Sequence, residues 1–424
     1  MRGKNVFSFT LLLIVGVLLF SNCRQGSKKD VEGAKLSIPN QVFNFNYLND
    51  NILINGIIDS VEGNFVLDIG TDNLCLDGIF ISLNDFPKLN LKRYNIGGIG
   101  TTYPLINLIE DTLVFNYNNY KMSFSNIPFV ALKTIMGDNV DGILGYSFVK
   151  DKVLEINYDK EYIRMYSSID SMFIKKDDIA IGGWKKIHMI KEKKNFSIPL
   201  EIAINNYLSI KGNFLLKLGL STGVSIFSST AYNYNLNNYI ENKIYYYSKS
   251  HQFGAKFSTF KFYSRSVQIA DYKLNDFMSE YESGNKNGVK NDNYLGEVGN
   301  GLFEHFDLCV DFINNDLYLR PNKNFNTKEK SIKLGFTYLD RTNTFGSWVV
   351  STIIHTSKAE KAGLHLSDRI VKVNGISIKD IGIHEQQTYF DDLDSLTLEL
   401  NRGNQLIQIG FRLTPILKNI IGEK

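Results

Sequence analysis

The sequence predicts a mostly-β protein built from a duplicated unit, with a separate module behind it. Three observations carry this. Phenylalanine and tyrosine number 29 and 23 against only 7 prolines in 424 residues, and so much β-favouring bulk belongs in packed sheets, not in collagen-like or disordered chains. Two motifs recur in the same order about 150 residues further on, the mark of a repeated unit. Apolar and polar residues alternate with period two through Val153–Tyr158 and Leu308–Phe312, followed by the turn residues Asp159-Lys160 and Asn314-Asn315, as in antiparallel hairpins.

Charge and composition exclude several functions. A formal net charge of +3 gives no basic field for nucleic acid. Three cysteines cannot form a disulfide framework, and six scattered histidines lack metal-ligand spacing, so neither a metal nor a cofactor is expected. Cys75 and Cys309 lie in apolar runs and read as core residues. His305, His365 and His384 have no nearby nucleophile in motif context, which argues against a nucleophile-histidine triad.

At the amino terminus, Arg2 and Lys4 precede an apolar run from Phe9 to Phe20 and then small or polar residues before Cys23. That is the anatomy of a secretory signal over residues 1–22, too short to span a bilayer as an anchor. The segment ending at Cys23 resembles a bacterial lipobox. The resemblance implies lipidation of Cys23 and a membrane-anchored lipoprotein of the cell envelope, on the periplasmic or surface face. Residues 23–38 are polar and aperiodic and read as a flexible tether.

The duplicated motifs bound two copies, 39–168 and 191–323. Gly63-Asn64-Phe65-Val66-Leu67-Asp68-Ile69-Gly70 returns as Gly212-Asn213-Phe214-Leu215-Leu216-Lys217-Leu218-Gly219, and Gly142-Ile143-Leu144-Gly145 returns as Gly296-Glu297-Val298-Gly299. One short helical turn is expected after each second motif, at Ser147–Asp151 and Leu302–Phe306. An apolar strand ending in Asp68-Ile69-Gly70-Thr71, with Ile143-Leu144-Gly145 downstream, resembles the retropepsin-like and pepsin-like aspartic peptidases. The resemblance covers most of Asn40 to Pro321. It implies two β-barrel lobes forming a bilobal body, an aspartic-type endopeptidase activity and a peptide or protein substrate. Asp68 takes the catalytic position, Gly70 and Thr71 shape its turn, and Gly97, Gly98 and Gly100 lie where that family carries a hairpin flap.

That chemistry needs two carboxylates sharing one proton, one acting as base toward water and the other as acid. This sequence supplies one. Lys217 stands at the second position, and Ile69 and Leu218 replace the threonines whose hydroxyls brace the two turns in the family. An ammonium facing Asp68 is expected to hold it in an ion pair. Three readings stay open: a peptide-binding pseudoenzyme, an enzyme with Asp68 as base and another donor (Asp72 and Asp77 being neighbours), or a structural Asp68 or one paired across two chains. The tyrosine run Tyr245–Tyr247 reads as strand or flap of the second copy.

From Lys330 the texture changes. Lys333-Leu334-Gly335-Phe336 precedes Ser357–Leu364, a short helix ending at a glycine, and Asp368–Val373, a strand running into an Asn374-Gly375 turn. His384–Leu393 reads as a second helix. Leu396–Leu413 reads as a closing hairpin turned by Arg402-Gly403-Asn404. Together, residues 330–415 resemble an α+β PDZ domain. The resemblance implies that Lys333, Leu334, Gly335 and Phe336 bind a peptide C-terminus through backbone N–H groups, with the peptide added as a strand.

Overall fold

The computed structural model describes residues 41–95, 105–172, 182–219, 222–249, 256–282, 293–327, 331–386, 388–403 and 405–417. The expected signal, Cys23, the tether, and Gly97, Gly98 and Gly100 lie outside the described residues. Among the described residues no helix is long and apolar enough to cross a membrane.

The repeat extends from two motifs to a whole sheet path. In the first copy, Val61–Leu67 pairs antiparallel with Asn51–Ile58 and parallel with Gly142–Leu144, so that Ile143 lies beside Val66. Gly142–Leu144 runs antiparallel to Cys75–Asp77, followed by Ile127–Val130, Leu105–Ile109 and Leu91–Asn95. The second copy repeats this order with Asn195–Ala203, Ser209–Leu216, Gly296–Val298, Val224–Ile226, Tyr272–Glu282, Lys256–Ile269 and Ile244–Lys249. The runs Phe65-Val66-Leu67 and Phe214-Leu215-Leu216 are buried at every residue. Their sequences are accordingly continuous and apolar, not alternating, as a strand covered on both faces requires.

A six-stranded sheet joins the copies. Val153–Asn157 pairs antiparallel with Phe306–Asp311, placing Leu154 against Val310 and Ile156 against Leu308. Tyr146 of the first copy packs on Phe196 and Phe312 of the second, with ring centroids 5.5 and 5.6 Å away, so one apolar core runs through both. The expected helical turns form at Tyr146–Val149 and Asn300–Phe303. An edge strand of this sheet, Lys185–His188, falls between the two expected copies. Its lysines suit an exposed edge, and its short, charged sequence hid it from a search for apolar periodicity.

The C-terminal segment has its own core around Trp348, Phe336, Val350, Ile370 and Leu398. Ser357 caps helix Lys358–Lys361 by accepting from the Glu360 N–H, and Gly363 follows with φ +90°. Asn374 and Gly375, with φ of 49° and 81°, turn the chain where expected. The helix expected over His384–Leu393 is confined to Ile383–Gln386. Thr388, Tyr389 and Phe390 are weak helix formers, and Asp391, Asp392 and Asp394 would crowd the negative end of a longer helix.

This segment is built onto the body. Ser347–Ile354 pairs with Ile244–Lys249 of the second copy, and the His355 N–H donates to the Tyr245 carbonyl. Tyr247 donates its hydroxyl to Glu360 at 2.9 Å. The tyrosine run therefore docks the C-terminal segment. On the first copy, buried Arg341 meets buried Asp138 at 2.8 Å, and Thr344 donates its N–H and its hydroxyl to the same carboxylate.

Truncating one partner of a buried pair strands the other's charge, a cost of about 3–5 kcal/mol. Arg341→Ala is therefore expected to loosen this docking, seen as faster amide exchange in both 133–141 and 336–346. Unchanged protection in those segments would refute the assignment.

Candidate functional site

Asp68 follows the last residue of Val61–Leu67, and its N–H donates to the Leu144 carbonyl at 3.0 Å. The strand Gly142–Leu144 thus holds the start of the turn from behind. The side chain is satisfied within its own turn. Oδ1 accepts from the Gly70 N–H at 2.8 Å and Oδ2 from the Thr71 hydroxyl at 2.9 Å. Gly70 and Thr71 therefore lie where the motif placed them, at the half-buried Asp68.

Lys217 occupies the matching seat. Its N–H donates to the Val298 carbonyl at 2.9 Å, as that of Asp68 does to Leu144. The side chain is 9% exposed and reaches back toward the first copy. A Cβ placed on Gly70 would lie 2.9 Å from Lys217 Nζ and 3.0 Å from Asp68 Oδ1, so the two charged groups share one small space. A Cβ on Gly219 would sit 2.3 Å from that of Asp68, an approach only glycine permits. No direct ion pair, at 4.0 Å or less, joins Lys217 to Asp68. The expected salt bridge is replaced by close juxtaposition around Gly70.

The residues lacking hydroxyls went inward. Ile69 and Leu218 are 5% and 0% exposed and belong to the common core. A different brace ties the second turn to the first copy: buried Asn300 donates to the carbonyls of Leu218 and of Asp50 and accepts from the Tyr158 hydroxyl. Neither acidic neighbour serves Asp68. Asp77 is fully buried, capping Gly78–Leu83 and accepting from the Lys133 N–H. Asp72 pairs with Lys194 of the second copy.

One acidic residue had no role in the sequence reading. Glu297 lies mid-strand in Gly296–Val298, 6% exposed, with Oε2 making no hydrogen bond. Burial pushes its carboxyl up to about 7, with Glu282, Glu280 and Asp68 adding to the rise and Lys217 opposing it. Its signal was present: the same place in the first copy holds Ile143. Near this face a cavity of about 680 Å³ is lined by Asp50, Thr222, Lys261, Glu280, Glu304 and Thr388. Burial and the charge of Glu304 push Asp50 up to about 7, while Lys261 opposes that rise. Among the described residues no group of histidine, cysteine and acidic side chains is arranged to hold a metal ion.

In the C-terminal segment, Gly335 has φ +80° and its carbonyl accepts from the Ile354 N–H, so Leu334-Gly335 turns into the strand opened by buried Phe336. Lys333 Nζ donates to the Asp391 carbonyl at 3.3 Å. Cys75 and Cys309 are free and buried, and burial pushes the Cys75 thiol up to about 12, far from reactive. His305 is buried with Nδ1 2.8 Å from the Asn324 carbonyl, and burial lowers its pKa.

Glu297 gives a signed pH test. Between pH 4.5 and about 7 the folded chain keeps a proton there that the unfolded chain has released, so this group's contribution to stability falls as pH rises through the window. Glu297→Gln removes that slope. Urea unfolding is expected to show the variant gaining on the wild type with rising pH, by on the order of 3 kcal/mol above the window. A difference that stays constant with pH would overturn it.

No family model and no curated protein matches the chain. Among solved structures it is similar to the aspartic proteinase from Irpex lacteus, with a TM-score of 0.42 and 11% identity, covering 68% of this chain and 99% of that one. It is also similar to basic 7S globulin from soybean, with a TM-score of 0.38 and 7% identity, covering 68% of this chain and 96% of that one.

Proposed function

We propose that the body is an aspartic-peptidase-like protein that binds peptides in the cleft between its copies without hydrolysing them by a shared-proton dyad. One observation carries this reading: an ammonium, Lys217, shares with Asp68 the space around Gly70. A dyad works because two adjacent carboxylates cannot both ionise, so one keeps the proton it must donate. Lysine supplies no such carboxyl. Asp68 keeps its accepting oxygens and Lys217 its donors, a pair suited to the N–H and C=O groups of an extended chain.

The C-terminal segment fits the same reading as a PDZ-like peptide site. The Leu334-Gly335 turn leads into Phe336–Arg341, a strand paired on one edge with Ser347–Ile354, and an added peptide strand would take its other edge. Lipidation at Cys23 would hold the protein at a membrane of the cell envelope, the natural place to capture exported peptides or proteins.

The test is a mixed peptide library given to the full chain in detergent, from acidic to neutral pH, beside Asp68→Ala. Peptides are expected to be retained uncleaved, with retention weakened in the variant. Cleavage that vanishes in Asp68→Ala would overturn the non-catalytic reading. Lys217→Asp alone is expected to give no robust hydrolysis, since Ile69 and Leu218 leave both turns without hydroxyls; strong turnover by that variant would refute this.

A further inference from the structure

The two copies present the same sheet face with different chemistry. In the first, Leu53, Val66, Ile143 and Cys75 follow one another across the strands and are all apolar and buried. In the second, the pairings Leu215↔Glu297, Glu297↔Ser225, Ser225↔Glu280 and Glu280↔Lys261 form the matching row. Directly paired residues project to one face, so two glutamates flank the small Ser225 on one surface. Glu282, two residues along the same strand, shares that face.

The charges on this face do not balance. Lys261 meets Glu280 at 3.5 Å. Glu297 is nine-tenths buried, its Oε2 has no hydrogen-bond partner, and neither lysine forms a direct ion pair with it. Asp50 and Glu304 add carboxyls across the adjoining cavity, where Lys261 is the lining lysine. A buried carboxyl oxygen without a donor costs stability wherever it stays unused. Natural strands rarely place one where the sister copy has isoleucine, unless a ligand completes it.

We propose that this face of the second copy is a subsite for a cationic side chain, lysine or arginine, of the peptide bound in the cleft. The inference rests on the peptide-binding reading above. Glu297 and Glu280 grip the cationic head from either side of the small Ser225. Lys217 directly follows the strand that carries Leu215, which places the subsite beside the Asp68 turn.

The experiment measures binding of the full chain, in detergent, to one captured peptide made with arginine, lysine, citrulline or norleucine at each position in turn. At one position the arginine and lysine forms are expected to bind at least about tenfold tighter than the neutral forms. Glu297→Gln should erase that preference. Glu280→Gln should weaken it, and Ser225→Leu, which sets a bulky apolar side chain between the two glutamates, should abolish it. Equal binding of charged and neutral peptides overturns the subsite but leaves the peptide-binding reading standing. A preference that survives Glu297→Gln overturns the assignment to this face. Failure of every peptide to bind overturns both.

Discussion

Everything at the candidate site depends on the antiparallel pairing of Val153–Asn157 with Phe306–Asp311. Each strand is reached directly from the short helix that follows Gly142–Leu144 or Gly296–Val298. Joining them fixes the copies as mirror positions in one sheet and one core, with Tyr146, Phe196 and Phe312 packed across the seam. The two turns then meet from opposite sides, closely enough that Gly219 lies against the Asp68 side chain. Without that pairing Asp68 and Lys217 would be unrelated residues.

Duplication conserved the backbone arrangement and released the side chains. Both turns keep the N–H bond to the return strand, at Leu144 and at Val298, and both keep the glycine that allows close approach. The chemistry carried by those turns has diverged: carboxylate against ammonium, Ile143 against Glu297, Cys75 against Ser225. The turn of Lys217 is tied to the first copy through Asn300 and Tyr158. A backbone held by ladder hydrogen bonds tolerates such exchange, because side-chain identity enters the ladder only through packing.

The C-terminal segment is coupled to both copies. Its strand Ser347–Ile354 extends the second copy's sheet, and Arg341 is buried on Asp138 of the first. Asp138 is itself tied to its surroundings, since its carbonyl accepts from Lys133 Nζ, which also pairs with Asp141 at 2.6 Å. Asp141 immediately precedes the return strand behind Asp68. The contact between segment and body thus ends one residue from the element that positions the site.

What the sequence determined by itself was local and periodic. Continuous apolar runs marked the doubly covered strands, the paired motifs marked the duplication, and the Asp68 and Lys217 positions followed from that alignment. Asn374-Gly375 and Gly363 marked a turn and a helix end because their backbone angles suit few other residues. The tertiary structure alone decided which faces meet. The contact of Gly219 with Asp68, the absence of an ion pair to Lys217, the structural duties of Asp72 and Asp77, the edge strand Lys185–His188 and the row from Glu297 to Lys261 all arise from pairings between distant residues. Periodicity states which way a side chain points along its own strand, but its neighbour is set by the strand laid beside it, and the chain order does not name that strand.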